Sequence, residues 1–354
     1  MRYPKNLQEH GTIGFVAPSF GCNMEPYRSG FLNAQKKLKE LGHNLDLGPN
    51  CYEGCGIGIS NTPQACGAEL TEYYCSDKND VLISCGGGEL MCETLEYTDF
   101  AKIAAAEPKW YMGFSDNTNM TYLLATLCDT ASIYGPCAAA FGMEPWHQSL
   151  TDAYELLRGK KQTVCGYELW EKEGKKDEEH PLEPYNVTEK RELRVFLPED
   201  VNGQKKFTEQ TGASVAMEGR LLGGCMDCLV NLLGTKYDKT TEFVERYKED
   251  GIIWFLEACD LNVMAIRRAI WQMKNAGWFT HVKGFLIGRP YFHGQELMGL
   301  DQYHAVCDLL EELGVPIIMD VDLGHLPPMM PIVCGSYANV QVDTNDIRIQ
   351  MEYK

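Results

Sequence analysis

Four short stretches carry residue types suited to acyl-transfer chemistry, and each lies at the end of an apolar run. Gly113-Phe114-Ser115-Asp116-Asn117-Thr118 puts a hydroxyl at a strand-to-helix corner, with the backbone N–H of Asp116 at the helix start. A serine held out there unites an attacking group with an oxyanion donor. The corner is a nucleophile elbow in logic but not in pattern: G-x-S-x-G is absent, Asp116 and Asn117 standing downstream. A plain helix N-cap by Ser115 or Asp116 competes with this reading. Gly86-Gly87-Gly88 offers bare N–H groups close to a ligand. No G-K-[ST] follows and G-x-G-x-x-G is missing, so a second oxyanion donor suits it better than a phosphate loop. Glu257 ends the run GIIWFL, where a carboxylate needs a cleft or a partner; an ordinary salt-bridged carboxylate is the alternative. His325 sits in Gly324-His325-Leu326-Pro327-Pro328, just after another apolar run. His293, in a Tyr-Phe-His-Gly loop, and His304, in a predicted helix, compete with it as general base. The chain order Ser, Glu, His supplies nucleophile, orienting carboxylate and base, each at a strand end.

These residues need an open sheet to hold them, because active groups gather at the carboxyl ends of parallel strands. Buried strands are expected at residues 12–17, 81–85 and 110–114, with another ending at 133–136. Helical spacing of Phe31, Ala34, Leu38 and Leu41, with Gly42 as cap, and an amphipathic stretch over 117–128 alternate with them. The pattern predicts a parallel sheet with helices on both faces. Composition shifts near residue 165, where a charged run (EKEGKKDEE, 171–179) and Pro181, Pro184 and Pro198 break the periodicity. A domain junction is drawn there, giving domains 1–165 and 166–354, the second opening on a long loop over 166–215. Order returns with strands at 251–256, 285–288 and 316–321. Helices are read around Ile266, Ile270 and Met273 and over 302–313, and a hairpin over 340–351 turns at 343–346.

The 354 residues carry a formal charge of −18, which argues against nucleic acid and against anionic lipid as partners. No signal-like segment and no run of about 18 apolar residues is present, so a soluble cytoplasmic protein is expected. The fifteen cysteines are scattered and odd in number. Cys225-Met226-Asp227-Cys228 has CxxC spacing and Cys51, Cys55, Cys66 and Cys75 cluster loosely, but no second pair accompanies either set. Reduced thiols serving as small apolar residues are expected, with no metal and no cofactor.

At this point the chain resembles the LD-carboxypeptidase family of serine peptidases, which includes muropeptide LD-carboxypeptidases and microcin C self-immunity proteins. The resemblance covers nearly the whole chain. It runs through GTIGFVAP (11–18), the Gly87-Gly88 turn, PKWYMGFSDNT (108–118), EGRLLGG (218–224) and NLLGTKY (231–237). It continues through Phe255-Leu256-Glu257, IGRP (287–290) and DLGH (322–325). It implies a catalytic triad of Ser115, Glu257 and His325, and an oxyanion hole from the N–H groups of Gly88 and Asp116. It also implies an α/β fold with a flavodoxin-like parallel-sheet N-terminal domain and a C-terminal domain with a small barrel-like mixed sheet. A homodimer with its active site between the domains is implied too. Two departures bear on substrate. Muropeptide-cleaving members show Arg-Gly-Gly-Tyr-Gly where this chain has Cys85-Gly86-Gly87-Gly88-Glu89, and Cys225 stands where relatives often carry Asn. The 166–215 segment is similar to the long loop of the immunity branch, in which an aromatic can stack on a base. Trp170 is the residue nominated for that role here, with Gly87 as a further substrate contact; simple packing of Trp170 is the alternative. The expected activity is hydrolysis of an amide in a short peptide conjugate through an acyl-enzyme, the substrate being an LD-peptide from murein turnover or a peptidyl- or aminoacyl-nucleotide. A non-catalytic small-molecule binder retaining the fold, and a cysteine hydrolase, are the rivals.

Overall fold

In the computed structural model, which describes residues 1–201 and 204–354, the chain forms two compact units. The first comprises residues 1–162 with 173–186 and 330–335; the second comprises 163–172, 187–329 and 336–354. In the first unit β1 (Thr12–Val16), β2 (Asn44–Leu47), β3 (Val81–Ser84), β4 (Trp110–Gly113) and β5 (Ser132–Tyr134) are all parallel. Their order, β2-β1-β3-β4-β5, is that of a flavodoxin-like sheet. β3 and β4 are buried along their whole length, which is why VLIS and WYMG read as continuous runs rather than alternations. Helices α1 (Tyr27–Glu40), α2 (Pro63–Cys75), α3 (Met91–Thr94), α4 (Phe100–Ala105), α5 (Thr118–Cys128) and α6 (Gln148–Leu157) complete the unit. Val16, Leu70, Tyr74, Leu82, Met91, Tyr111, Met120 and Leu124 form one buried cluster in this unit.

The second unit holds β6 (Thr163–Cys165), β7 (Leu169–Trp170), β8 (Glu189–Lys190), β9 (Arg194–Val201), β10 (Gln204–Glu209) and β11 (Ser214–Cys225). Then come α7 (Met226–Leu232), α8 (Thr240–Arg246), β12 (Ile252–Glu257), α9 (Val263–Asn275) and β13 (Val282–Gly288). The short pair β14 (Glu296–Leu297) and β15 (Leu300–Asp301), helix α10 (Gln302–Leu310) and β16 (Ile317–Val321) follow. β17 (Ile332–Cys334) belongs to the first unit, where it pairs antiparallel with β5. β18 (Tyr337–Asp343) and β19 (Asp346–Glu352) form the expected terminal hairpin. The main sheet of this unit runs β10-β9-β16-β13-β12-β11-β18-β19-β6 and is mixed: β11, β12, β13 and β16 are parallel neighbours, the rest antiparallel. Trp254 and Trp278 stack in its core, with Phe279 edge-on to Trp254 and to Phe285.

Two expectations about the chain's organisation are corrected. The segment 166–215 is no single loop: it contains β7, β8, β9, β10 and the start of β11, although residues 202 and 203 lie outside the described residues. The charged run 171–179 itself lies outside the strands, whereas charged residues farther on, such as Arg194 and Glu209, are strand residues that pair with each other. Nor is there one junction near residue 165, since 173–186 and 330–335 belong to the first unit. The pairing of β17 with β5 joins residues almost 200 positions apart, and no local pattern announces it.

Candidate active site

Ser115 follows β4 at φ +62, a left-handed conformation that an L-residue with a Cβ adopts at a cost of about 1–2 kcal/mol. A short 3-10 turn (Ser115–Asn117) leads from it into α5. This is the sharp strand-to-helix corner of a nucleophile elbow, built without G-x-S-x-G. The competing N-cap reading does not hold, for neither the turn nor α5 has a side-chain cap bond. Ser115 is half-buried, and its own N–H donates to the Tyr134 hydroxyl at the end of β5 (3.2 Å).

The glycine turn lies against this corner. A methyl group on Gly87 would stand 3.2 Å from Ser115 Cβ and 3.3 Å from Oγ. Gly88 presses on the preceding loop so closely that a methyl there would collide with the Ser19 hydroxyl. Ser115, Asp116, Gly87 and Gly88 are thereby brought together within the first unit.

Glu257 and His325 are brought together within the second. Glu257 ends β12 and is buried, and its Oε2 is 2.8 Å from His325 Nδ1. That bond ties down Nδ1 of the imidazole. The close fit depends on Gly324 at φ +98: a side chain there would lie 2.6 Å from Glu257 Oε2. Burial of His325 disfavours its charged form. The Glu257 charge and the hydrogen bonds that the imidazole donates to the Cys259 sulfur and to Glu257 outweigh that, raising its pKa well above the ordinary imidazole range. The two rival histidines are occupied elsewhere. His304, on α10, is exposed and bonded to Asp301 (2.9 Å), and His293 lies 3.6 Å from Asp320.

Sequence reasoning missed the frame that carries His325. Asp322, fully buried, binds Arg289 (2.5 Å), lies 3.6 Å from Arg191, and accepts the Tyr167 N–H (2.7 Å). Arg289 belongs to the IGRP stretch, and an arginine closing the apolar run FLIG was the signal the sequence offered. Trp170, nominated for stacking on a base, packs within the second unit. It is 6% exposed, its Nε1 donates to the Lys190 carbonyl, and the Arg289 guanidinium and His293 ring sit 4.9 and 5.2 Å from its ring. Cys225, the register partner of Glu257, is buried beside it, its thiol pKa pushed up by the Cys228 thiol and by burial. Among the described residues, no group of three or more His, Cys, Asp or Glu is placed to hold a metal ion.

Comparison with known proteins also divides the chain in two. The LD-carboxypeptidase N-terminal domain matches residues 13–135, and the LD-carboxypeptidase C-terminal domain matches 218–340. The chain is 24% identical over 356 residues to YocD of Bacillus subtilis (strain 168), which is named as a carboxypeptidase, with 99% of each chain covered. A second protein of that organism, named as a murein peptide carboxypeptidase, is 24% identical over 95% of this chain and 90% of its own. Among solved structures, a variant of the microcin C7 self immunity protein MccF with adenosine monophosphate superposes at TM-score 0.78. It is 20% identical, over 99% of this chain and 98% of that one. An MccF-like protein from Streptococcus pneumoniae with AMP gives 0.74 at 21% identity, over 97% and 99%. At those identities the solved structures establish a shared two-domain fold, and the two domain matches establish more: this chain belongs to the LD-carboxypeptidase family and is a serine carboxypeptidase-like enzyme.

Proposed function

We propose that the protein hydrolyses an amide bond in a short peptide conjugate through an acyl-enzyme on Ser115. The observation that carries this reading is the left-handed Ser115 elbow with a glycine turn against it. Ser115 Oγ attacks the carbonyl carbon while His325 Nε2 takes the hydroxyl proton. The N–H groups of Gly88 and Asp116 hold the oxyanion, and Glu257 holds the imidazole in its tautomer. The C–N bond then breaks, the imidazolium gives its proton to the leaving amine, and water cleaves the ester by the same steps.

Two substrate classes are supported by relatives. One relative is named for murein peptide, whereas MccF has been solved with glutamyl sulfamoyl guanosine and with aspartyl sulfamoyl adenosine. The altered glycine turn favours the aminoacyl-nucleotide class for this chain.

The test is mass spectrometry of an LD-linked muramyl tetrapeptide and an aminoacyl sulfamoyl adenosine, each incubated with wild type and with Ser115→Ala. Ser115-dependent release of the amino acid from the nucleoside is the expected result. Ser115-dependent loss of the terminal D-Ala moves the enzyme to murein turnover, and turnover that survives Ser115→Ala overturns the mechanism.

A further inference from the structure

Asp116 and Asn117 stand where a G-x-S-x-G elbow would have another pattern, and both side chains turn back onto the glycine turn. Asp116 is 4% exposed. Its Oδ2 accepts the Ser19 hydroxyl (2.6 Å) and the Met91 N–H (2.9 Å), and its Oδ1 accepts from Asn119 Nδ2 (3.1 Å). Met91 lies three residues beyond Gly88, and the Ser19 hydroxyl packs directly beneath Gly88. Asn117, fully buried, donates from Nδ2 to the carbonyls of Gly86 (2.8 Å) and Phe114 (3.1 Å), and its Oδ1 accepts the Tyr111 hydroxyl (2.5 Å). Asn117 therefore grips the glycine turn at its first residue, while Asp116 grips the segment just past its last. The loop after β1 joins the same assembly, since the Phe20 N–H donates to the Gly87 carbonyl (2.7 Å).

We infer that the Asp116 carboxylate and the Asn117 amide are positioning residues that set the spacing between the Gly88 and Asp116 N–H groups, with Ser19 as the link between carboxylate and turn. A chain with no Cβ along Gly86–Gly88 has no side chains to hold its own place, so its carbonyls and flanking N–H groups must be held from outside. One carboxylate oxygen accepting from two different segments does this for both at once, and the three donors compensate a buried charge. Preorganised donors stabilise a developing oxyanion only when their spacing is fixed before the reaction, so the two side chains act on the transition state rather than on ground-state binding.

The inference rests on Ser115 as nucleophile, and the experiment separates the two. Labelling of Ser115 by a fluorophosphonate, whose phosphoryl oxygen occupies an oxyanion position, is timed for wild type, Asn117→Ala, Asp116→Asn and Ser19→Ala. The kcat and KM for the conjugate that wild type cleaves are measured alongside, with thermal unfolding of each variant. Asn262→Ala, a helix-cap change in the second unit, reports what lost stability alone does. The expected result is labelling and kcat slowed about 10–100-fold in Asn117→Ala and Asp116→Asn, less in Ser19→Ala, with KM within about twofold. If labelling and kcat stay within about twofold of wild type in folded variants, or fall only as far as in Asn262→Ala, the positioning role is overturned. Should Asn117→Ala and Asp116→Asn fail to fold, Ser19→Ala decides alone by the same criteria. A wild type that is not labelled at Ser115 refutes the nucleophile instead.

Discussion

Ser115 combines two properties that pull apart: it is held at φ +62, and it carries the side chain that makes this conformation costly. Replacing it with alanine keeps the strain, whereas glycine relieves it. Ser115→Gly is therefore expected to unfold in urea at a higher midpoint than Ser115→Ala, by up to about 1 kcal/mol, while both are inactive. His325 gives a second prediction. A general base works when neutral, so a pKa raised by Glu257 puts the rising limb of kcat/KM above the ordinary histidine range near pH 6.5. Glu257→Gln removes the charge and leaves burial dominant, so the limb moves down in pH while kcat falls by roughly 10³–10⁴. The stability effect has the opposite dependence. The folded state binds this proton more tightly than the unfolded one, so the contribution of the pair is complete below about pH 6.5 and is lost as pH rises through the folded pKa.

At the scale of elements, the segment that carries His325 is held by buried charge rather than by apolar packing alone. Asp322 with Arg289 and Arg191 forms that anchor, and Arg289 Nη1 also donates to the Asp320 carbonyl (2.8 Å). Removing one member strands the others without water. Arg289→Ala is expected to destabilise the protein by about 3–5 kcal/mol in urea unfolding. A cap change is a much smaller insult. Asn262 accepts the Ala265 N–H (2.9 Å) at the start of α9, and Asn262→Ala should cost about 1 kcal/mol. A measured cost for Arg289→Ala no larger than that of the cap would mean the anchor is dispensable. Elements with local signatures were legible beforehand: the buried runs that became β1, β3, β4 and β12, and the alternation that became β18 and β19. β2 was not, because NLDL is short and only partly buried. Nor were β9 and β10, whose mixed charge and Pro198 mimic a loop and whose strand character comes from pairing with each other and with β16.

For the whole molecule, all fifteen cysteines are free thiols, as their scatter suggested. Most are buried, and burial pushes the thiols of Cys128 and Cys137 up to about 12. Cys55 and Cys165 are exposed. Titration with an aromatic disulfide reagent should therefore find these two first in the native protein, and all fifteen in urea. Early modification of Cys137 would show that the first unit opens readily. Among the described residues no helix is long and apolar enough to cross a membrane.

From residue types and local order alone came the candidate chemistry: a serine, a glycine turn, a glutamate and a histidine, each marked by the apolar run before it. Family resemblance, too, was readable there, because its motifs are contiguous. Tertiary structure alone decided how those residues are held. The left-handed Ser115, the Asp116 bonds to Ser19 and Met91, the Asn117 bond to Gly86 and the Arg289–Asp322 anchor join positions up to 97 residues apart. Burial of Trp170 was decided at the same level. Periodicity records which face of one segment is apolar, but it carries no information about which distant segment supplies a partner for a buried polar group. That choice is made only when the chain packs and each such group must find one.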